Sequence, residues 1–330
     1  MNKNPLISIL IPMYNAEATI SRCLSSICSQ EPMIFEIIVI DDGSTDSGYD
    51  IAKSYAEQYS FIYLYQQKNE GVSRTRQNLI HYANGKYIMF CDADDYFEPN
   101  AIKTVYKLFQ DTKDKERFGE EINLYVFGYK LIRMEGEKVV KTRKLPEGIH
   151  KKDEFSKYHV QGFSDLYWSA LWNKCYKKEI YSLSEISFEY LMEDVMFNID
   201  YISRCSNIYV CSIPIYDYVQ IGESLTRSKK KDKTSDILFA QKAFQTLHEK
   251  AIKAYPNEQR QIDENFYMLM KNLILRADKI NNIELKMKLR EDCNSFRDQI
   301  GVRYVLFECK WILSSLKNIM RKIVKMIRSN

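Results

Sequence analysis

Leu6 to Met13 (LISILIPM) is a short β-branched run with little polar alternation, which predicts a strand buried on both faces. Glu36 to Ile40, Phe61 to Tyr65 and Tyr87 to Cys91 read as three further strands. Between them the spacing changes to that of helices. Ala16 to Ser29 places Ile20, Leu24 and Ile27 on one stripe, and Tyr49 to Tyr59 and Val72 to Tyr82 are compatible with further helices. Strict alternation of strand and helix calls for a parallel sheet with helices on its faces, whose ligands sit at the carboxyl ends of the strands.

The pattern then loosens. Asn123 to Lys144 predicts two strands around a Gly-containing turn. From His150 to Arg227 come an aromatic stretch (FSDLYWSALWNKCY), the segment FEYLMEDVMF and a strand over Ile208 to Ile213. Lys229 to Lys233 (KKKDK) predicts an exposed linker, and Ser235 to Phe296 is helical in pattern without evident chemistry.

With 330 residues the chain can bury a sizeable core, and its composition is that of an ordinary globular enzyme. The eight cysteines form no CxxC pair and several lie in apolar runs, which predicts reduced core thiols. The four histidines (His81, His150, His159, His248) have neither HExxH spacing nor a cysteine set, so a zinc site is not expected. The N-terminal apolar run is too short for a secretory signal, and no segment has the length of a membrane span. These features predict a protein that stays in the cytoplasm. The net charge of +4 resides in the tail: from Lys310 onward there are six basic residues and no acidic one, so the remainder is net negative. That argues against a nucleic-acid surface and for a local anionic partner.

Candidate chemistry lies where the strands end. Asp92-Ala93-Asp94-Asp95 follows an apolar strand directly, and two carboxylates one residue apart there can hold a divalent cation that grips a diphosphate. The plainer alternative is a turn with Asp95 capping a helix that begins near Pro99. A calcium loop fits less well, since Phe97 and Lys103 stand where Gly and Glu are required. Asp41-Asp42-Gly43-Ser44 ends the second strand, where an acidic side chain can accept from a uracil imide or simply belong to a solvated turn. Glu193-Asp194 sits among Leu191, Met192, Val195, Met196 and Phe197, so desolvation there would raise a carboxylate towards the range of a general base. The competing reading is a helix N-terminus carrying acidic residues for dipole reasons.

Taken in order, ISILIPMYNAEATISRCLSSICSQ, EIIVIDDGSTDSG, NEGVSRTRQNLIHYANGKYIMFCDADD, LWNKCYKKEI and MEDVMF resemble the family 2 glycosyltransferases over roughly Pro5 to Arg227. The resemblance implies an α/β fold of the GT-A nucleotide-diphospho-sugar transferase type, a Rossmann-like, mostly parallel sheet flanked by helices, here with a C-terminal helical extension. Residues 1–228 would form the catalytic domain, with 1–115 the nucleotide-sugar-binding half and 116–228 the acceptor half. Residues 229–300 would be the helical extension and 301–330 a basic amphipathic tail. Carried over, it makes Pro12, Tyr14 and Glu17 part of the nucleotide pocket and Asp42 the uracil contact. Asp92 would reach the ribose beside Ala93, and Asp94 would hold the metal, Mn²⁺ or Mg²⁺. Arg76 would be a donor-side contact, although SRTRQN departs from the family's usual ARN. Asp194 becomes the general base of an inverting transfer, with Glu193 in reserve. Trp168 and Trp172 are acceptor-side candidates, with a core role as the alternative. Arg227 would supply positive charge over the donor where Val219 replaces a common Arg.

The expected activity is transfer of a sugar from a nucleotide-diphosphate donor, with UDP favoured, to a hydroxyl of a lipid-linked or cell-surface glycan precursor, as in bacterial capsule and other polysaccharide biosynthesis. Two alternatives stand against it. A nucleotidyltransferase could use the same sheet and metal, but the Glu193-Asp194 pair and the later family segments count against that. A non-catalytic nucleotide-sugar-binding protein is disfavoured by retention of both acidic motifs and the base. In the tail, Leu316, Ile319, Met320, Ile323 and Ile327 share one helical face opposite Lys317, Arg321, Lys325 and Arg328, with Trp311 nearby. Such a helix predicts peripheral attachment to an anionic membrane, the inner face of the cell membrane. Packing on the enzyme, or on a second copy in a homodimer, is the competing reading.

Overall fold

A computed structural model describes residues 5–117, 120–133, 138–141, 146–161, 165–182, 192–220 and 233–300. The chain divides into two compact units, Met1–Lys229 and Lys230–Asn330.

In the first unit, β1 (Ile7–Met13), β2 (Phe35–Asp41), β3 (Ile62–Gln66) and β4 (Tyr87–Phe90) alternate with α1 (Ile20–Cys28), α2 (Gly48–Gln58) and α3 (Val72–Tyr82). Every residue of β2 and β4 is buried. Covering both faces removes the need for polar alternation, which is why these strands read as continuous apolar runs. These four strands lie in the order β3-β2-β1-β4 and run parallel.

The sheet is mixed beyond β4. The short β5 (Tyr96–Phe97) precedes α4 (Ala101–Arg117), β6 (Leu124–Arg133), β7 (Lys138–Lys141) and β8 (Gly148–Lys151). Then come α5 (Lys152–Gln161), α6 (Leu166–Ser169), β9 (Lys174–Lys177), α7 (Lys178–Ser182), α8 (Glu193–Ser203) and β10 (Asn207–Gln220). β9 runs antiparallel between β4 and β6, and β10 pairs parallel with β6. β6 and β7 form the antiparallel pair expected between Asn123 and Lys144.

Two elements differ from the sequence reading. The first helix begins at Ile20, because residues 15 to 17 are drawn into hydrogen bonds with the loop after β2. β10 continues through Pro214 to Gln220 where the pattern stopped at Ile213; register shifts on both sides of Pro214 accommodate the missing N–H.

The second unit contains α9 (Thr234–Ala254), α10 (Gln259–Lys279) and α11 (Ile283–Ile300). Ile237, Leu247, Ile262, Met270, Leu273 and Leu289 form its interior. Polar ties join the helices: His248 Nε2 lies 2.7 Å from Asp263 Oδ1, and Gln241 Nε2 donates to Asp292 Oδ2 at 2.7 Å. No helix among the described residues is long and apolar enough to cross a membrane. Linker residues 229–232, Arg227 and residues 301–330, read from the sequence as a basic amphipathic tail, lie outside the described residues.

Candidate active site

The chain runs outward from β1 to β3 and then returns to the other side of β1, so a crevice opens beyond the carboxyl ends of β1 and β4. Pro12 is half-buried at the end of β1, and Tyr14 just past it is 50 % exposed. The loop beyond is zipped to the turn after β2. Asn15 N–H donates to Ser44 Oγ (2.8 Å) and Thr45 N–H to Asn15 Oδ1 (2.8 Å); Glu17 N–H donates to Asp46 Oδ2 (2.9 Å) and Ser47 N–H to Glu17 Oε2 (3.2 Å). Gly43 lies at φ +75°, and a Cβ there would sit 3.0 Å from Asn69 N, so this turn requires glycine.

Asp42 is buried and holds the entry to α3. Its Oδ1 accepts from Gln67 Nε2 (2.9 Å) and Glu70 N–H (2.8 Å), and its Oδ2 from Gly71 N–H (2.9 Å). Oδ2 therefore keeps room for one more donor, the kind a uracil imide would offer.

Arg76 is the centre of the arrangement. It reaches from α3 with its side chain only 6 % exposed, and three carboxylates converge on it: Asp92 Oδ1 at 3.1 Å, Glu193 Oε1 at 2.9 Å and Asp194 Oδ1 at 2.6 Å. The guanidinium is thus engaged by protein carboxylates, and it joins the acidic turn after β4 to the start of α8. Its fan of fixed N–H donors suits such sharing.

One positive charge does not balance this acidity. Burial pushes Asp194 up to about 7; Arg76 opposes the rise, while Glu193 and Asp92 add to it. Asp94 is raised as well, by burial and then by the charge of Asp92. α8 begins abruptly, with Met192 in the left-handed region at φ +58° and ψ +35°. For a side chain as long as Met this conformation is strained, and such strain persists only where the surroundings enforce it.

The residues fit a hard divalent cation. Asp92 and Asp94 present carboxylate oxygens one residue apart at the crevice, and the excess negative charge is what such an ion relieves. Among the described residues no group of three or more His, Cys, Asp or Glu could enclose a metal. Mg²⁺-type ions keep several waters and are completed by substrate phosphates, so one or two carboxylates suffice.

Asp95 is not the helix cap considered from the sequence. It is 1 % exposed, and its oxygens accept from Tyr216 O–H (2.8 Å) and Val219 N–H (2.7 Å). Tyr216 Oη also accepts from Asp92 N–H at 3.0 Å, so β10 grips the acidic turn from below. Arg22 on α1 adds a bond to Asp94 O at 2.6 Å. Sequence reading offered no signal for Tyr216 or Arg22, since neither contact is local.

Trp168 and Trp172 occupy the core, at 0 % and 3 % exposure. Trp172 stacks on Tyr216 (4.7 Å between centroids) and on Tyr218 (5.4 Å), so its faces meet protein rings. Their accessibility is that of the core alternative rather than of an open sugar platform.

Residues 8–115 match the family model Glycosyl transferase family 2. Over these residues the chain carries a family 2 glycosyltransferase domain, and its mixed α/β fold is similar to that of the TarS structures. The structure of Staphylococcus aureus TarS residues 1–349 in complex with UDP-GlcNAc superposes with a TM-score of 0.59 at 16 % identity, covering 88 % of this chain and 91 % of that one. The uncharacterized glycosyltransferase YibD of Escherichia coli K12 is 43 % identical over 105 residues, 32 % of this chain and 30 % of YibD. Glycosyltransferase GlyA of Streptococcus pneumoniae is 27 % identical over 198 residues, 58 % of this chain and 27 % of GlyA. The matched region spans less than a third of either relative.

Proposed function

We infer that this chain is an inverting glycosyltransferase that moves a sugar from a UDP-sugar to an acceptor hydroxyl. The observation that carries the reading is the convergence of Asp92, Glu193 and Asp194 on Arg76. It brings the strand-end acidic turn and a carboxylate of raised proton affinity into one site, although 117 or more residues separate Arg76 from the acidic pair. A nucleotide-sugar donor is the ligand of the TarS structure of similar fold.

In this reading Tyr14 stacks against the base, and Asp42 accepts from the uracil imide through its open Oδ2 position. Asp94 would hold Mn²⁺ or Mg²⁺, which supplies positive charge against the leaving diphosphate, and Asp92 beside it would reach the ribose. Asp194 accepts the proton of the acceptor hydroxyl, whose oxygen bonds to the anomeric carbon as the bond from that carbon to the diphosphate oxygen breaks. A single displacement from the opposite face inverts the anomeric configuration. Burial matters here because a base that titrates near 7 is ionised at working pH yet still draws a proton.

Asp94→Ala tests the metal assignment. Its UDP affinity should lose its dependence on Mn²⁺, weakening at least tenfold in the presence of the ion. Titration calorimetry with UDP in Mn²⁺ and in EDTA measures this, and an affinity still dependent on Mn²⁺ would remove Asp94 as the ligand.

The acceptor we favour is a lipid-linked or cell-surface glycan precursor, and the support is the tail. A basic amphipathic helix gains both apolar burial and attraction to anionic lipid, the latter about 1 kcal/mol per basic residue near the surface. Removing residues 304–330 is expected to abolish co-sedimentation with phosphatidylglycerol vesicles while leaving UDP binding intact. Retained vesicle binding would contradict the membrane role.

A further inference from the structure

Lys174 is buried completely, which is rare for an ammonium and tolerable only when its donors are matched. Its Nζ donates to Tyr167 O (3.1 Å), Ala170 O (2.5 Å) and Asn173 Oδ1 (2.9 Å), three acceptors for three N–H groups. The charge therefore closes the turn that follows α6. Burial lowers its proton affinity to about 7, while Asp194 and Asp165 work to keep the charge in place.

The same turn is held from a second side. Asn198, also 0 % exposed, donates through Nδ2 to Ser169 O (2.7 Å) and Ala170 O (3.4 Å), so Ala170 O is shared with Lys174. Its Oδ1 accepts from Tyr176 O–H at 2.8 Å. Lys174 and Tyr176 are two residues apart in β9 and so lie on one face of that strand. Asn198 lies four residues after Asp194 in α8, hence on the same face of the helix. A closed circuit runs from β9 to the turn, from the turn to α8, and back to β9.

The geometry points to Lys174 and Asn198 as a positioning pair, a clamp that fixes the first turn of α8 and with it the direction of Asp194. It rests on the assignment of Asp194 as the base. Arg76 draws the acidic pair from the crevice side, and the clamp anchors the helix from the core side. Met192, in its left-handed conformation, immediately precedes the helix so anchored. The hydrogen bonds of the clamp reach Tyr167, Ser169, Ala170, Asn173 and Tyr176 and none of the residues assigned to the donor, so the clamp variants should leave donor binding in place.

The test uses Lys174→Met and Asn198→Leu in the full chain, with Asn198→Ser as a milder third variant in case Lys174→Met does not fold. UDP release from a UDP-sugar that the wild type turns over should fall at least tenfold in kcat, as expected when a catalytic group is displaced by a fraction of an ångström. The Kd for UDP with Mn²⁺ should stay within twofold. Hydrogen exchange should quicken at the amides of residues 194–198 and remain unchanged in α1 to α3. The double variant should be no worse than the poorer single one, because both act through one unit.

Unchanged kcat, unchanged exchange in α8, or UDP affinity falling in step with kcat would overturn the clamp. If Asp194→Asn keeps wild-type turnover while the clamp variants still loosen α8, the assignment of the base fails and the mechanical clamp survives. The exchange readout thus separates the two claims.

Discussion

Asp194→Asn is expected to lower kcat by roughly 10³-fold, within the range that a positioned general base contributes, while the Kd for UDP with Mn²⁺ changes less than twofold. The substitution preserves shape and still presents an acceptor oxygen to Arg76, but it cannot take up a proton at that position. In the wild type the working form is the carboxylate, and its proton affinity is pushed up to about 7 by burial and by Glu193 and Asp92. Turnover should therefore rise as pH increases through about 7 and fall on the acid side. The residual activity of the Asn variant should lack that limb. Steady-state UDP release between pH 5.5 and 9 measures both, and an acid limb that persists in the variant would move the base elsewhere.

Arg76→Met should destabilise the protein by about 3 kcal/mol, the low end of the range for removing one partner from a buried ion pair. The low end applies because the three carboxylates left behind keep 21 to 29 % of their side-chain surface in water. In a folding unit of some two hundred residues that corresponds to a fall in Tm of about 10 °C. The sign of the pH dependence follows from the lost charge. At neutral pH three carboxylates face one another without a cation, whereas lower pH protonates them and removes the repulsion. The gap in Tm between wild type and variant should narrow as pH falls. Calorimetric melts at pH 7.5 and 5 check this, and a gap independent of pH would mean that packing of the long side chain dominates.

The parts of this fold that the sequence revealed are those whose signal is local. β1, β2 and β4 announce themselves because burial on both faces permits largely apolar runs (ISILIPM, FEIIVID, YIMF), and α1 through the stripe Ile20, Leu24, Ile27. The acidic turns after β2 and β4 stood out because carboxylates at the carboxyl ends of parallel strands lie where such sheets bind ligands. β9 was hidden because two of its four residues are lysines. One of them is fully buried, matched to carbonyls brought in from the preceding turn. The setting of Asp95 was hidden for a related reason: its partners, Tyr216 and Val219, are more than 120 residues away. Arg76 was singled out as a donor-side contact, and the structure pairs it with Asp92, Glu193 and Asp194. Nothing near SRTRQN indicates that α8 will deliver Glu193 and Asp194 to it. Local pattern placed the groups at the crevice, and only tertiary pairing revealed which groups share a charge.

The proposed transfer requires a metal-dependent uridine nucleotide site beside a separate base. The most direct measurement is a thermal-shift titration of the full chain with UDP, GDP, CDP and dTDP, each with Mn²⁺ and with EDTA. A ligand that binds only the native state raises stability by about 2.7 kcal/mol at one hundred times its Kd. UDP with Mn²⁺ should raise Tm by several degrees, UDP in EDTA by little, and the other nucleotides by less. A shift of equal size without the metal, or the largest shift with a nucleotide other than UDP, would contradict it.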